Sequence, residues 1–294
     1  MGCLEIASLG KSYGKKVALV DFSMKVAGGE IVGLIGRNGA GKTTLLNCIA
    51  GNIHPTNGSI LYDGTNILSD GRIRSKFGIS IEASFLDYLN TYENLSLLMK
   101  TCGDYDASYR INEIQEILHI VGLGDQMKKH VSSFSYGMKQ RLGFAQALLN
   151  GSELLILDEP FAGLDVDGRK IVKDHIRKLA NDKHIGVIFS DHNLDEVHDL
   201  CHRVVCIQNG KKVYDGIPDN EIKYEVYIDS LSEELLLELR KIKGITINLD
   251  RKVIYFSAKH NVHEIAKIII EHSTLLKVKS IENALEKILK EGVE

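Results

Sequence analysis

EIVGLIGRNGAGKTTLLNCIAG, residues 30–51, joins an apolar run, a glycine-rich turn and an amphipathic segment, in that order. The run reads as a buried strand and the last part as a helix. Between them Gly36, Gly41, Lys42 and Thr43 stand at the spacing of a P-loop. Glycines let successive backbone N–H groups turn inward around phosphate oxygens, lysine adds a point charge at the β/γ-phosphates, and threonine offers a hydroxyl to Mg²⁺. The helix start contributes its own partial positive charge. A merely structural turn is the competing reading, and the strand–turn–helix context counts against it. The stretch predicts an α/β core that binds a nucleoside triphosphate.

Two further strands end in groups suited to such a ligand. LLILDEP, residues 154–160, is apolar up to Asp158 and Glu159, two acids where a parallel strand would meet the phosphate loop. Asp158 suits a partner for Mg²⁺ held by Thr43, and Glu159 is placed to polarise an attacking water. HIGVIFSDHNLDEV, residues 184–197, ends in Ser190, Asp191 and His192 before another helix. A lone histidine is usually structural, but at a strand's carboxyl end it can bond a γ-phosphate or hold the nucleophilic water. FGISIEASFL, residues 77–86, likewise runs from a buried strand into a carboxylate, Glu82. Either that acid has simply reached water, or it faces the ligand as strand ends in open α/β sheets do.

Composition narrows the field. At 294 residues and 44% hydrophobic content the chain can bury one large core, or a core and a small second domain. A formal charge of −3 offers no general basic field for nucleic acid or anionic lipid, so no nucleic-acid partner is expected. Cys3, Cys48, Cys102, Cys201 and Cys206 are scattered without CxxC spacing, which indicates neither a disulfide framework nor a zinc knuckle. His198, Cys201 and His202 share a helix face, but the neighbouring VVCI run reads as core packing rather than a metal site. No apolar run reaches the roughly 18 residues of a membrane span. MGCLEIAS lacks the plan of a signal peptide, and LEIASL alternates like a strand.

Residues 91–150 read as largely helical and end in SSFSYGMKQRLGFAQALLNG, where Ser135 is a candidate N-cap and Gly137 a point of close approach. This is a second anion-facing helix start, and one nucleotide rarely needs two. The economical reading gives the second to a partner's ATP.

Together these stretches resemble the ATP-binding subunit of an ABC transporter. GRNGAGKTT corresponds to Walker A, FSYGMKQ to the signature, LLILDEP to Walker B, AGLD to the D-loop and His192 to the switch histidine, in family order over about residues 4–216. The resemblance implies a P-loop NTPase (RecA-like) core with an antiparallel β part and an inserted helical subdomain at about 91–150, the cassette spanning 1–218. It implies ATP and Mg²⁺ as cofactors. It also implies a head-to-tail pair of cassettes, homodimer or paralogue, in which Ser135 and Gly137 of one contact ATP held by Asn38, Gly39, Ala40, Gly41, Lys42, Thr43 and Thr44 of the other. Asp165 reaches across that interface, and Tyr13, in KSYGKKVAL, matches the aromatic that stacks on adenine.

Two departures stand out: Tyr136 and Met138 replace a glycine and a glutamine of the signature, and Glu82 stands where most of the family has a glutamine that senses Mg²⁺ and water. The acidic replacement, with GMKQRLGFA, resembles the bacitracin-resistance and lantibiotic-immunity ATPases. That resemblance implies a subunit on the cytoplasmic face of the membrane that drives peptide-antibiotic export through a separate integral membrane permease, with Glu82 a metal-coupled transmission residue. Export of a lipid or other hydrophobic compound, or a soluble ABC ATPase acting on ribosomes or nucleic acid, remains the alternative. Residues 222–294 read as a small α+β accessory domain: strand YEVYI, helix SEELLLELRKI, hairpin ITINLDRKVIYFSA, helix NVHEIAKIIIEHS, strand LLKVKSI and helix NALEKILKEG.

Overall fold

The computed structural model describes residues 2–101, 107–217, 223–257 and 261–281. The chain divides into two compact units, Met1–Pro218 and Asp219–Glu294.

The first unit begins with β1 (Cys3–Tyr13) and β2 (Lys16–Ala27), an antiparallel hairpin whose inward residues Leu4, Ile6, Phe22, Met24 and Val26 are buried. The P-loop segment follows as predicted: β3 (Ile31–Ile35), buried along its whole length, then α1 (Lys42–Ala50). β4 (Asn57–Tyr62) and β5 (Thr65–Asn66) extend the hairpin into a four-stranded sheet ordered β2-β1-β4-β5. A short α2 (Gly71–Arg74) leads to β6 (Phe77–Ser80). The helical insertion is α3 (Thr91–Thr101), α4 (Ala107–Ile120) and α5 (Tyr136–Asn150).

The chain then completes a mostly parallel sheet with β7 (Leu154–Asp158), α6 (Val166–Lys183), β8 (Gly186–Asp191), α7 (Leu194–Leu200), β9 (Arg203–Gln208) and the antiparallel edge β10 (Lys211–Gly216). The six strands run β10-β9-β3-β8-β7-β6. Helix α6 turns Gly168, Val172, Ile176 and Leu179 inward at helical spacing, the pattern of a helix covering a sheet. Among the described residues no helix is long and apolar enough to cross a membrane.

The second unit holds β11 (Lys223–Ile228), α8 (Glu233–Arg240), β12 (Thr246–Asn248), β13 (Val253–Ser257), α9 (Val262–His272) and β14 (Leu275–Ile281). The sheet order β12-β13-β11-β14, antiparallel throughout, with βαββαβ connectivity, is the ferredoxin-like arrangement. Its core joins Val226, Ile228, Ile254 and Phe256 of the sheet to Leu235, Leu239, Ile265 and Ile269 of the helices. The helix expected at NALEKILKEG lies outside the described residues, as does Cys102. Ile254 is fully buried, so Ile254→Ala is expected to destabilise this unit by about 2–5 kcal/mol. Urea unfolding of the full chain followed by tyrosine fluorescence should show an earlier transition, with ATP binding at low urea retained.

Candidate functional site

Strand register builds the site. β3, β8 and β7 lie side by side and parallel, with Ile35 opposite Asp191 and Asp158 opposite Ser190. Their carboxyl ends therefore bring the phosphate loop, Asp158–Glu159 and Asp191–His192 together, where open α/β sheets bind ligands.

Above the loop lies a cleft of about 470 Å³. Asn38, Gly39, Gly41, Lys42, Thr43 and Thr44 line its floor, and Glu159 one wall. The opposite wall is the tip of the β1–β2 hairpin, where Tyr13 pairs with Lys16. The Lys11 ammonium lies 4.9 Å from the Tyr13 ring centroid, and the ring stays 45% exposed. Gly41 adopts φ +115°, and a Cβ there would sit 2.7 Å from the Ala18 carbonyl oxygen, so no side chain fits. Ala40 is buried, its N–H donating to Arg37 O at 3.1 Å.

Lys42 is 6% exposed, and its Nζ donates to the carbonyls of Gly36 at 2.6 Å and Arg37 at 3.4 Å. Among the described residues no carboxylate pairs with it, so this buried cation meets only carbonyl dipoles from the protein. A triphosphate fits that charge deficit.

Beside the loop, Thr43 Oγ1 donates to Asp158 Oδ2 at 2.9 Å, and the Ser190 hydroxyl donates to Oδ1. A carboxylate next to a P-loop hydroxyl is a hard-oxygen donor set that suits Mg²⁺. The Glu159 N–H is shared between Ser190 Oγ at 3.0 Å and Ser190 O at 3.2 Å. Glu159 itself has φ +46°, a conformation uncommon for glutamate and costing on the order of 1–3 kcal/mol. The Ser190 contacts hold it there and aim its carboxylate at His192, Nδ1 to Oε1 3.6 Å. Asp191, 4% exposed, accepts the N–H of Asn193 at 2.7 Å. A second cavity, of about 210 Å³, opens between Glu159, His192, Gly163 and Arg169.

Ser135, Gly137, Asp165 and Glu82 do not line the main cleft. Ser135 caps α5 by accepting the Met138 N–H at 3.3 Å, and Asp165 caps α6 by accepting the Gly168 N–H at 2.8 Å. Glu82 is exposed, two residues beyond β6, with φ +46° like Glu159. Its loop rests on α5: a Cβ on Gly143 would sit 2.9 Å from both Ala83 Cβ and Ser80 Oγ. Of the His198, Cys201 and His202 trio, His202 Nδ1 accepts the Ile31 N–H at 3.1 Å, and burial pushes the Cys201 thiol well above its ordinary value. Lys16 and the Arg169–Glu196 pair beside His192 were not singled out from sequence. Nothing in their local pattern marks them: Lys16 reaches the cleft by pairing with Tyr13 across the hairpin tip, and Arg169 meets Glu196 only through the packing of α6 beside α7.

A model of the ABC transporter family matches residues 19–162. Over 282 residues the chain is 35% identical to YdbJ of Bacillus subtilis (strain 168), an uncharacterized ABC transporter ATP-binding protein, covering 91% of this chain and 87% of that one. The chain belongs to the ABC transporter ATP-binding proteins. It is also 40% identical over 222 residues to the bacitracin transport ATP-binding protein BcrA of Bacillus licheniformis, 75% of this chain and 71% of that protein. A solved ATP-binding subunit of an ABC transporter superposes with a TM-score of 0.67 at 29% identity, over 74% of this chain and 90% of that one. As a member of the family this chain binds and hydrolyses ATP, and its turnover is coupled to transport.

Burial raises the Asp191 carboxyl above the ordinary carboxylate range, against the opposing pull of the Asn193 N–H and the charge of His192. The folded chain thus holds this proton more tightly than the unfolded chain, and ionisation costs stability as pH rises through the unfolded and then the folded value. Asp191→Asn is therefore expected to melt higher than wild type at about pH 8, and the advantage should shrink as pH falls towards about 4. Calorimetric melts at the two pH values check the sign; a pH-independent difference would assign the effect to packing.

Proposed function

We propose that this ABC ATP-binding chain is the cytoplasmic motor of an exporter, working as a pair of cassettes under a separate integral membrane permease. The observation that carries the mechanism is the convergence of Lys42, the Thr43–Asp158 hydrogen bond and the Glu159–His192 contact at three neighbouring strand ends. Lys42 supplies the cationic charge for the β/γ-phosphates, with Asn38, Gly39, Ala40, Gly41 and Thr44 around them. Tyr13 stacks on the base, and Lys16 across the hairpin tip borders the same end of the cleft. Thr43 and Asp158 would hold Mg²⁺, which when bound neutralises phosphate charge; Glu82 lies outside the cleft in the single chain, and its metal-coupled role is tested below.

Glu159 then orients and polarises the attacking water, and His192, 3.6 Å from its carboxylate, holds that water in line. Ser135 and Gly137 sit at an exposed helix start away from their own chain's cleft, which supports their serving ATP held by the second cassette. Asp165, beside them, reaches across the same interface.

The cargo we assign is a peptide antibiotic of the bacitracin or lantibiotic kind. The support is the 40% identity to a bacitracin transport ATP-binding protein and the acidic residue at position 82. The ferredoxin-like unit serves as an accessory domain.

Glu159→Gln is expected to keep ATP binding while lowering turnover by at least about a hundredfold, and with ATP to trap the paired state. Equal turnover in this variant would remove Glu159 from the chemistry. Purified from native membranes with ATP, the trapped protein should bring down a multi-spanning permease. Ribosomal or DNA-bound material in its place would overturn the exporter reading.

For Glu82, we expect Glu82→Gln and Glu82→Ala both to raise the Mg²⁺ concentration needed for half-maximal hydrolysis and to lower peptide resistance in cells. If neither variant changes hydrolysis or resistance, Glu82 is a solvated surface acid.

A further inference from the structure

Tyr136 stands where a glycine is expected, and the structure gives its ring a definite seat. It is the first residue of α5, and its hydroxyl accepts from Gln140 Nε2 at 2.9 Å one turn along the helix. The ring lies over Gly163 of the loop between β7 and α6: a Cβ on Gly163 would fall 2.3 Å from Tyr136 Cδ1 and 2.7 Å from Cε1. Gly163 also has φ +68°, so both conformation and space demand glycine there. The next residue of the helix approaches the same peptide, since a Cβ on Gly137 would lie 2.6 Å from the Gly163 carbonyl oxygen. Residues 136 and 137 therefore straddle one peptide unit of the neighbouring loop.

That loop is tied onward. Arg169 Nε donates to the Leu164 carbonyl at 3.1 Å, and its Nη1 bonds Glu196 Oε1 at 2.8 Å. Glu196 is 8% exposed and takes the Lys173 ammonium on its other oxygen. Burial disfavours its ionisation, but the hydrogen bonds from Lys173 and Arg169 more than offset that and hold the carboxyl below its ordinary value. Glu196 lies in the first turn of α7, directly after His192 and the Asn193 cap. The contacts run from the start of α5, through Gly163 and Leu164, to α7, whose Asn193 cap directly follows His192.

We propose that Tyr136 is a positioning residue that seats the start of α5 on the Gly163 peptide. Through Arg169 and Glu196 this seat couples the ATP that Ser135 and Gly137 contact in the second cassette to His192 of its own chain. The seat stands on this chain alone; the coupling rests on the paired-cassette reading proposed above. With glycine at position 136 the ring contact is absent, while the Gly137 approach, the Arg169 hydrogen bond to Leu164 and the packing of Phe161 on Phe189 remain. With phenylalanine the ring stays and only the Gln140 hydrogen bond is lost.

The test compares full-length wild type, Tyr136→Gly and Tyr136→Phe. Amide hydrogen exchange over residues 160–168, without nucleotide, reads the seat in a single chain. Tyr136→Gly should exchange there about tenfold faster, while Tyr136→Phe stays close to wild type. Steady-state ATP hydrolysis reads the coupling. In Tyr136→Gly we expect kcat and the Hill coefficient for ATP both to fall, with binding of a fluorescent ATP analogue to the cleft unchanged, and in Tyr136→Phe both to be retained. Unchanged exchange in Tyr136→Gly would overturn the seat. Faster exchange with wild-type kcat and Hill coefficient would overturn the coupling. A wild-type chain with a Hill coefficient of one that stays monomeric with ATP would overturn the paired reading and the coupling with it, leaving the seat to be judged by exchange alone.

Discussion

The carboxylate of Asp158 holds the site together. One oxygen accepts the Thr43 hydroxyl from the start of α1, the other the Ser190 hydroxyl from β8. Hydrogen bonds to a charged acceptor contribute about 1.5–3 kcal/mol each, and these two tie three elements that are remote in sequence. Ser190 passes the constraint on by accepting the Glu159 N–H through both its side chain and its backbone. The register that sets Asp158 opposite Ser190 therefore also fixes where Glu159 points.

Around that anchor the protein accepts local costs that a purely structural sheet end would avoid. Glu159 occupies the left-handed region. Lys42 is buried against carbonyls instead of a counter-ion, and Asp191 is buried with its carboxyl raised. Each is a charge or a backbone angle that would relax if the segment could move, and the buried strands β3, β7 and β8 prevent it. Such costs are typical where function sets the geometry.

What could be read from the chain beforehand follows from how local each signal is. The phosphate loop is contiguous, so 22 consecutive residues, 30–51, disclose the strand, turn, helix and lysine together. Asp158, Glu159 and His192 were legible because each closes an apolar strand, and a parallel sheet must gather such ends at one edge. Lys16 gave no such signal: it is one of several lysines near a hairpin, and only the pairing with Tyr13 brings it to the cleft. Arg169 and Glu196 read as surface charges on two helices, and their contact depends on how α6 and α7 pack over the sheet. In the second unit, alternating and helical periodicities marked the described strands and helices. Its ferredoxin-like order depends on which strands pair, which periodicity does not encode.

On the paired reading proposed above, the cleft is half of a catalytic site. Its floor supplies a lysine, backbone donors and a helix start, all on one side of where a γ-phosphate would lie. Phosphoryl transfer spreads charge over three equatorial oxygens, and donors on one side cannot surround them. Ser135 and Gly137 form a second helix start of suitable chemistry, yet α5 holds them outside their own cleft, seated on Gly163. On the paired reading, closing two chains head to tail brings that helix start to the open side of the partner's cleft. The loop that carries Gly163 then lies between the donor a chain lends and the histidine it keeps, and under the coupling proposed above the stiffness of this loop sets whether the two sites act independently.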